Sequence, residues 1–164
     1  MLDDIQILIT KRLSFLVNEY DFSQPKIYNL AYESHIEYRK ENFSIDVGTE
    51  LYTLLPFGIK TYKNTNSDES LNYFMITQII PIEEYTKRLE QTGMVELPEE
   101  IIPERKLFFS QKSKIQKLID LDKELRLNIE LLLENKEILN GEFLKFSSTY
   151  KFKNHIKEKF KSLF

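Results

Sequence analysis

Apolar residues at Ile5, Leu8, Ile9, Leu13, Leu16, Val17 and Tyr20 recur at helical spacing, while Lys11, Arg12, Asn18 and Glu19 fall mostly off that stripe. Asp3 or Asp4 supplies a cap, because a carboxylate at this point accepts an otherwise unpaired backbone N–H. The pattern predicts a helix over 3–20, ended by Asp21 to Pro25. The period then changes to two. Residues 26–33 (KIYNLAYE) read as a first strand. Ile36 and Tyr38 alternate with Glu37 and Arg39; after a turn at Lys40-Glu41-Asn42, Phe43, Ile45 and Val47 alternate with Ser44 and Asp46. This is a hairpin with one face in the core and one in water.

Residues 50–57 (ELYTLLPF) suit a further strand, with Pro56 at its end or on an edge. Residues 63–70 (KNTNSDES) form a polar loop, and 71–80 (LNYFMITQII) are apolar on both faces, as in a covered central strand. Pro81 stops that strand and opens a short helix over 82–92, capped by Gly93. Residues 94–104, with two prolines and four glutamates, read as a connector. From Leu107 to Leu139 the helical period returns with two stripes. One holds Phe108, Ile115, Leu118, Leu125, Ile129, Leu132 and Leu139; the other holds Leu127, Leu131 and Ile138. Two stripes require cover on two sides, from the same domain or a second subunit, so a homodimer is an open alternative. Gln111, Asp122 and Lys136 interrupt the seam and argue against a regular coiled coil. Asn140-Gly141 ends the helix, and Phe152, Ile156, Phe160 and Phe164 mark a last one.

The predicted architecture is α+β in one domain spanning 1–164: an N-terminal helix, an antiparallel meander of four or five strands over 26–80, and C-terminal helices over 82–164 packed on the sheet. A chain of 164 residues can bury about two-thirds of its unfolded surface in such a core.

Composition narrows the chemistry. There is no Cys or Trp, only two His, and the four Gly (48, 58, 93 and 141) are isolated. Disulfides, thiolate metal sites and glycine-rich phosphate loops are thereby excluded. Ser14, Ser34, Ser44 and Ser110 lack the glycine-flanked elbow of a nucleophile. The acidic start, Met1-Leu2-Asp3-Asp4, and the lack of any long apolar run predict a soluble cytoplasmic protein. Net charge is -3 but uneven, since residues 145–164 hold six Lys against Glu158 alone. The remainder carries 17 basic against 25 acidic residues; an acidic body with a basic tail reads as two solvated faces that attract each other, or as a surface for a basic partner. The Lys-rich tail could contact nucleic acid, but its apolar stripe has core-facing spacing and the acidic body opposes an extended polyanion surface.

Three groups carry candidate chemistry. His35 and Glu37 share a strand face, as half a metal site or as a base with its orienting acid. Glu37, Asp46 and Glu50 could converge as a carboxylate cluster for a metal-dependent hydrolase. Both also read as ordinary solvated strand residues. The third group is a partner-binding surface of Glu37, Arg39 and Asp46 on the polar hairpin face, Asp68 and Glu69 in the loop, and Glu99 and Glu100 in the acidic connector. No catalytic residue, cofactor site or metal site is assigned.

Ile138-Leu139-Asn140-Gly141-Glu142-Phe143, between a leucine-rich and a lysine-rich helix, resembles the L-x-G-D-F junction near the C-terminus of a group of small bacterial proteins, with Glu142 where the pattern has Asp. The segment from Phe15-Leu16-Val17 to Tyr20-Asp21-Phe22 and the hairpin of Ile36-Glu37-Tyr38 with Phe43-Ser44-Ile45-Asp46-Val47 are similar too. Those proteins look like members of the immunity-protein pool encoded beside bacterial toxins. The resemblance implies a non-catalytic protein that binds and neutralises one partner, such as a toxin or nuclease.

Overall fold

The computed structural model describes residues 3–78, 82–92, 96–102 and 109–145, together with Lys151, Asn154, His155, Lys157 and Glu158. The first apolar stripe is helical in two pieces, α1 (Asp4–Arg12) and α2 (Ser14–Tyr20), joined at Leu13. Asp3 is the cap. Its carboxylate accepts the Gln6 N–H at 2.8 Å and the Gln6 side chain accepts the Asp3 N–H at 3.2 Å, which closes a capping box. Asp21 ends α2 in the left-handed conformation, φ +62°.

Six antiparallel strands follow: β1 (Lys26–Leu30), β2 (Glu33–Lys40), β3 (Phe43–Glu50), β4 (Thr53–Leu54), β5 (Gly58–Tyr62) and β6 (Ser70–Met75). Their order is β1-β2-β3-β5-β6, with the short β4 also paired to β3. Two strand assignments need correction. The segment 26–33 is split by a turn at 31–32, and 50–57 is a turn plus the two-residue β4, so β5 is the strand beside β3. Neither turn contains the Gly, Asn or Asp that marks a two-residue hairpin. Ala31 and Leu51 nevertheless adopt φ of +49° and +54°, as Glu41 does at +53° in the turn that the pattern does predict.

The segment 71–80 also differs from expectation. It is an edge strand, ending at Met75 and followed by a 3-10 turn, Ile76–Gln78. Phe74 and Ile76 reach the core, whereas Leu71 is 61% and Tyr73 50% exposed. Apolar character on both faces reports composition, not cover, and surface aromatics satisfy it equally well.

The helical part comprises α3 (Ile82–Glu90), α4 (Phe109–Glu134) and α5 (Lys136–Leu139). Asn135 separates the last two and donates its side-chain amide to Leu131 O at 2.7 Å. The connector is partly packed: a 3-10 turn, Glu99–Ile101, lies against α1 and buries Ile101. The Gly93 cap, Phe108 and the stripe of Phe152, Ile156, Phe160 and Phe164 lie outside the described residues. No described helix is long and apolar enough to cross a membrane.

The core forms between the helices and one face of the sheet. Ile36, Tyr38, Phe43, Ile45, Val47, Ile59 and Phe74 meet Leu8, Leu13 and Leu16 from the first helices and Leu118, Leu121, Leu125 and Leu132 from α4. Among the described residues of the two stripes, Leu118, Leu125, Leu132 and Leu139 of the first and Leu127, Leu131 and Ile138 of the second are buried within the chain, while Ile115 and Ile129 are half-buried. Asp122, which interrupts the stripe, is fully buried. Arg12 grips both its oxygens at 3.0 Å and Arg126 adds a 3.3 Å contact. Both arginines also donate to Glu96 O, which ties α1, α4 and the connector together.

Phe43 takes the rings of Phe22 and Phe143 edge-on, at 5.6 and 5.2 Å. Gly141 closes this cluster at φ +70°, and a Cβ there would stand 2.9 Å from the Phe43 ring. The Asn140-Gly141-Glu142 junction is thus set both by a backbone conformation and by a close approach. Gly141→Ala is expected to lower stability by roughly 1–3 kcal/mol through strain and overpacking. Urea unfolding measures it, and an unchanged midpoint would show that Phe43 simply gives way.

Candidate functional site

The pairing of β2 with β3 sets His35 opposite Gly48, Glu37 opposite Asp46 and Arg39 opposite Ser44. On the outer side of β2, Tyr28 of β1 faces His35 and Lys26 faces Glu37. On the outer side of β3, Gly58 and Lys60 of β5 face Asp46 and Ser44. All these side chains share the face of the sheet from which the hydrophobic core draws nothing.

They cover one another instead. Asp46 stands at the centre, 3% exposed. Its Oδ2 lies 2.9 Å from His35 Nδ1, and His35 Nε2 lies 2.8 Å from Glu33 Oε2. The Lys60 ammonium sits 3.6 Å from Asp46 and 3.8 Å from Glu37, and donates to Tyr28 Oη at 2.9 Å. Tyr62 Oη donates to Glu37 at 2.5 Å and lies 3.1 Å from Ser44 Oγ. The Tyr28 ring stacks on His35, with centroids 5.1 Å apart and planes within 9°. Two strand glycines make room for rings: a Cβ at Gly48 would stand 3.0 Å from His35 Cε1, and one at Gly58 would collide with Tyr73. The buried charges on this face are paired with one another.

Burial pushes the Tyr28 phenol well above its ordinary value, and the charges of Asp46 and Glu37 act in the same direction. Burial, and then donation to Glu37, pushes Tyr62 up to about 12. Both phenols therefore remain protonated donors. Since carboxylates engage both nitrogens of His35, its ring is held in place and neither nitrogen is presented outward as a base. Among the described residues, no group of three or more His, Asp or Glu side chains is placed to hold a metal ion.

Beside the network lies a recess of about 520 Å³, bounded by Lys26, Tyr28, Glu37, Tyr62 and, at the loop, Arg39 and Asp68. The Arg39 guanidinium lies 3.9 Å over the Tyr62 ring, donates to Asn64 O at 3.0 Å and comes within 3.9 Å of Asp68. Arg39 thereby fixes the 63–69 loop against the sheet.

The predicted surface is divided by the structure. Glu37, Arg39 and Asp68 meet at the recess, and Glu69 follows in the exposed loop. Asp46 is buried and does not line the recess. Glu99 and Glu100 stand on the 3-10 turn in the helical layer, where Glu100 pairs with Lys11 at 3.1 Å. Glu50 faces Glu33, four residues along β3 from Asp46, so the carboxylate cluster does not converge. The acids that orient His35 are Asp46 and Glu33, not Glu37. Sequence reasoning missed Tyr28, Glu33, Lys60 and Tyr62. The alternation Gly58, Lys60, Tyr62 was the available signal, hidden because 58–62 did not read as a strand.

Two outcomes follow from the network. Lys60→Met leaves Glu37 and Asp46 facing each other without a cation and is expected to cost roughly 2–4 kcal/mol, measured by denaturant unfolding. The second concerns alkaline pH. Folded Tyr62 binds its proton up to about 12, against an ordinary value of 10.0, so its contribution is complete below pH 10 and is lost as pH rises from 10 to 12. Phenolate absorbance should show Tyr62 ionising only as the fold is lost. A single transition near pH 10 for all nine tyrosines would contradict this.

Compared with family models, curated proteins and solved structures, the chain matches none.

Proposed function

We propose that this chain is a non-catalytic protein-binding protein of the immunity type, which binds and blocks one protein partner through the open face of its sheet. The observation that carries the reading is the recess beside the Asp46 network. Its inner charges pair with one another, and its rim presents Lys26, Arg39 and Asp68 beside tyrosine faces on a rigid β-sheet. Tyr and Arg side chains held in place lose little freedom on binding, and mixed charges at a rim confer selectivity. Both His35 nitrogens are occupied, which favours binding over general-base chemistry. The carboxylates that a metal-dependent hydrolase would use, Glu37 and Asp46, already share the Lys60 ammonium. The immunity assignment itself rests on the resemblance of the 138–143 junction, the 15–22 segment and the β2–β3 hairpin.

The test is affinity capture with the intact chain from its own organism's lysate, followed by calorimetry on the captured partner. One stoichiometric protein partner is expected. The double substitution Lys26→Gln, Asp68→Asn removes two exposed rim charges without placing like charges together; it should weaken affinity at least tenfold and leave the melting temperature nearly unchanged. Wild-type affinity in that variant would remove the open face from the interface.

A further inference from the structure

At one end of the sheet the chain spends stability on something the fold does not use. Glu33 and Glu50 are paired across β2 and β3, so the turns Ala31–Tyr32 and Leu51–Tyr52 stand side by side. Tyr32 is 87% exposed, Leu51 82% and the neighbouring Leu30 53%. Leu51 adopts φ +54°, a conformation that Gly or Asn reaches easily and a leucine reaches only under strain. A leucine that is both strained and in water contributes nothing to the core, and such outliers concentrate where a chain makes contacts.

The Leu51–Tyr52 turn is also a ridge between two recesses, of about 480 and 520 Å³, and both residues line both of them. The first recess contains Asp3, Asp4 and Lys114; the second contains Lys117, Asp120 and Glu124. Of the two lysines, Lys114 is paired with Asp4, and Lys117 lies 5.3 Å over the Tyr52 ring. The ridge is therefore acidic on both flanks and apolar along its crest. Burial, and then the nearby charge of Asp120, raises the Glu124 carboxyl above its ordinary value.

We propose that the Leu51 ridge docks a basic segment of a protein partner, which sets an apolar side chain against Leu51 and Lys or Arg side chains into the flanking recesses. Charge complementarity selects the basic occupant, and the exposed Leu51–Tyr32 pair supplies the apolar anchor. The proposal extends the protein-binding reading to a second surface, separate from the recess at Arg39.

The test is a titration of the isotope-labelled chain with three defined peptides, followed by amide chemical shifts: alternating Arg and Leu, alternating Glu and Leu, and alternating Arg and Ser. The Arg–Leu peptide should shift the amides of Tyr32, Leu51 and Tyr52, and the other two should not. Leu51→Asn should weaken that binding at least fivefold while holding or raising the melting temperature, because Asn suits the left-handed turn. Asp120→Lys should weaken it similarly. Equal shifts with the Arg–Ser or Glu–Leu peptide, or none at these amides, overturn the proposal. So does sedimentation showing a dimer that Leu51→Asn converts to monomer, since the ridge would then be an interface between copies of this chain. The peptides report on this ridge alone, so their failure leaves the open-face reading standing. Failure of the lysate capture, conversely, leaves a positive peptide result intact.

Discussion

The register between β2 and β3 is the constraint on which the rest depends. Eight consecutive pairs, from Glu33 with Glu50 to Lys40 with Phe43, send Ile36, Tyr38, Ile45 and Val47 to one side and His35, Glu37 and Asp46 to the other. A slip of one residue would exchange the two sets, drowning the core in carboxylates and exposing its aliphatic chains. The helices can pack only against the apolar side, and the polar side must find its own means of burial. The sheet thus separates the molecule into a structural layer and a chemical one.

Each layer contains a buried carboxylate held by ion pairs and hydrogen bonds. In the helical layer, Asp122 is gripped by Arg12 and Arg126, and the two arginines extend the tie to Glu96 O. In the sheet layer, Asp46 is held by His35 and Lys60. Such groups add little net stability over well-packed hydrophobic residues, but removal of a partner is costly. Their effect here is geometric: Asp122 fixes how α1 crosses α4, and Asp46 fixes the orientation of His35, Lys60 and the tyrosines around them.

The two surfaces proposed for binding follow from this division. The open sheet face offers charges already organised by their neighbours, and the Leu51 ridge offers an apolar crest with acidic flanks. A fold of helices on one side of an antiparallel sheet does not dictate a function. What favours recognition here is local: occupied His35 nitrogens, an arginine stacked on Tyr62, and a leucine held in a conformation that disfavours it.

By itself, the sequence determined the fold class, the first helix, the β2–β3 hairpin and the leucine-rich helix, because each rests on a periodic pattern longer than one turn or one strand. It also marked Asn140-Gly141 as a helix end, which is where α5 stops at a left-handed glycine, although the long helix itself already ends at Glu134. The division of 26–33 and 50–62 into strands was not legible, since the turns at Ala31 and Leu51 use residues that carry no turn signal and are held by strand pairing. Edge or centre could not be read for β6, because cover depends on which strands pair at a distance. Asp122 looked like a flaw in an apolar stripe until Arg12, far away along the chain, reached it. The site was half visible: Glu37, Arg39 and Asp46 were recognised on one face, but Tyr28, Lys60 and Tyr62 joined them only through the pairing of four strands. Local patterns report which way a side chain points, whereas the identity of its neighbour is decided by long-range register, which no local pattern contains.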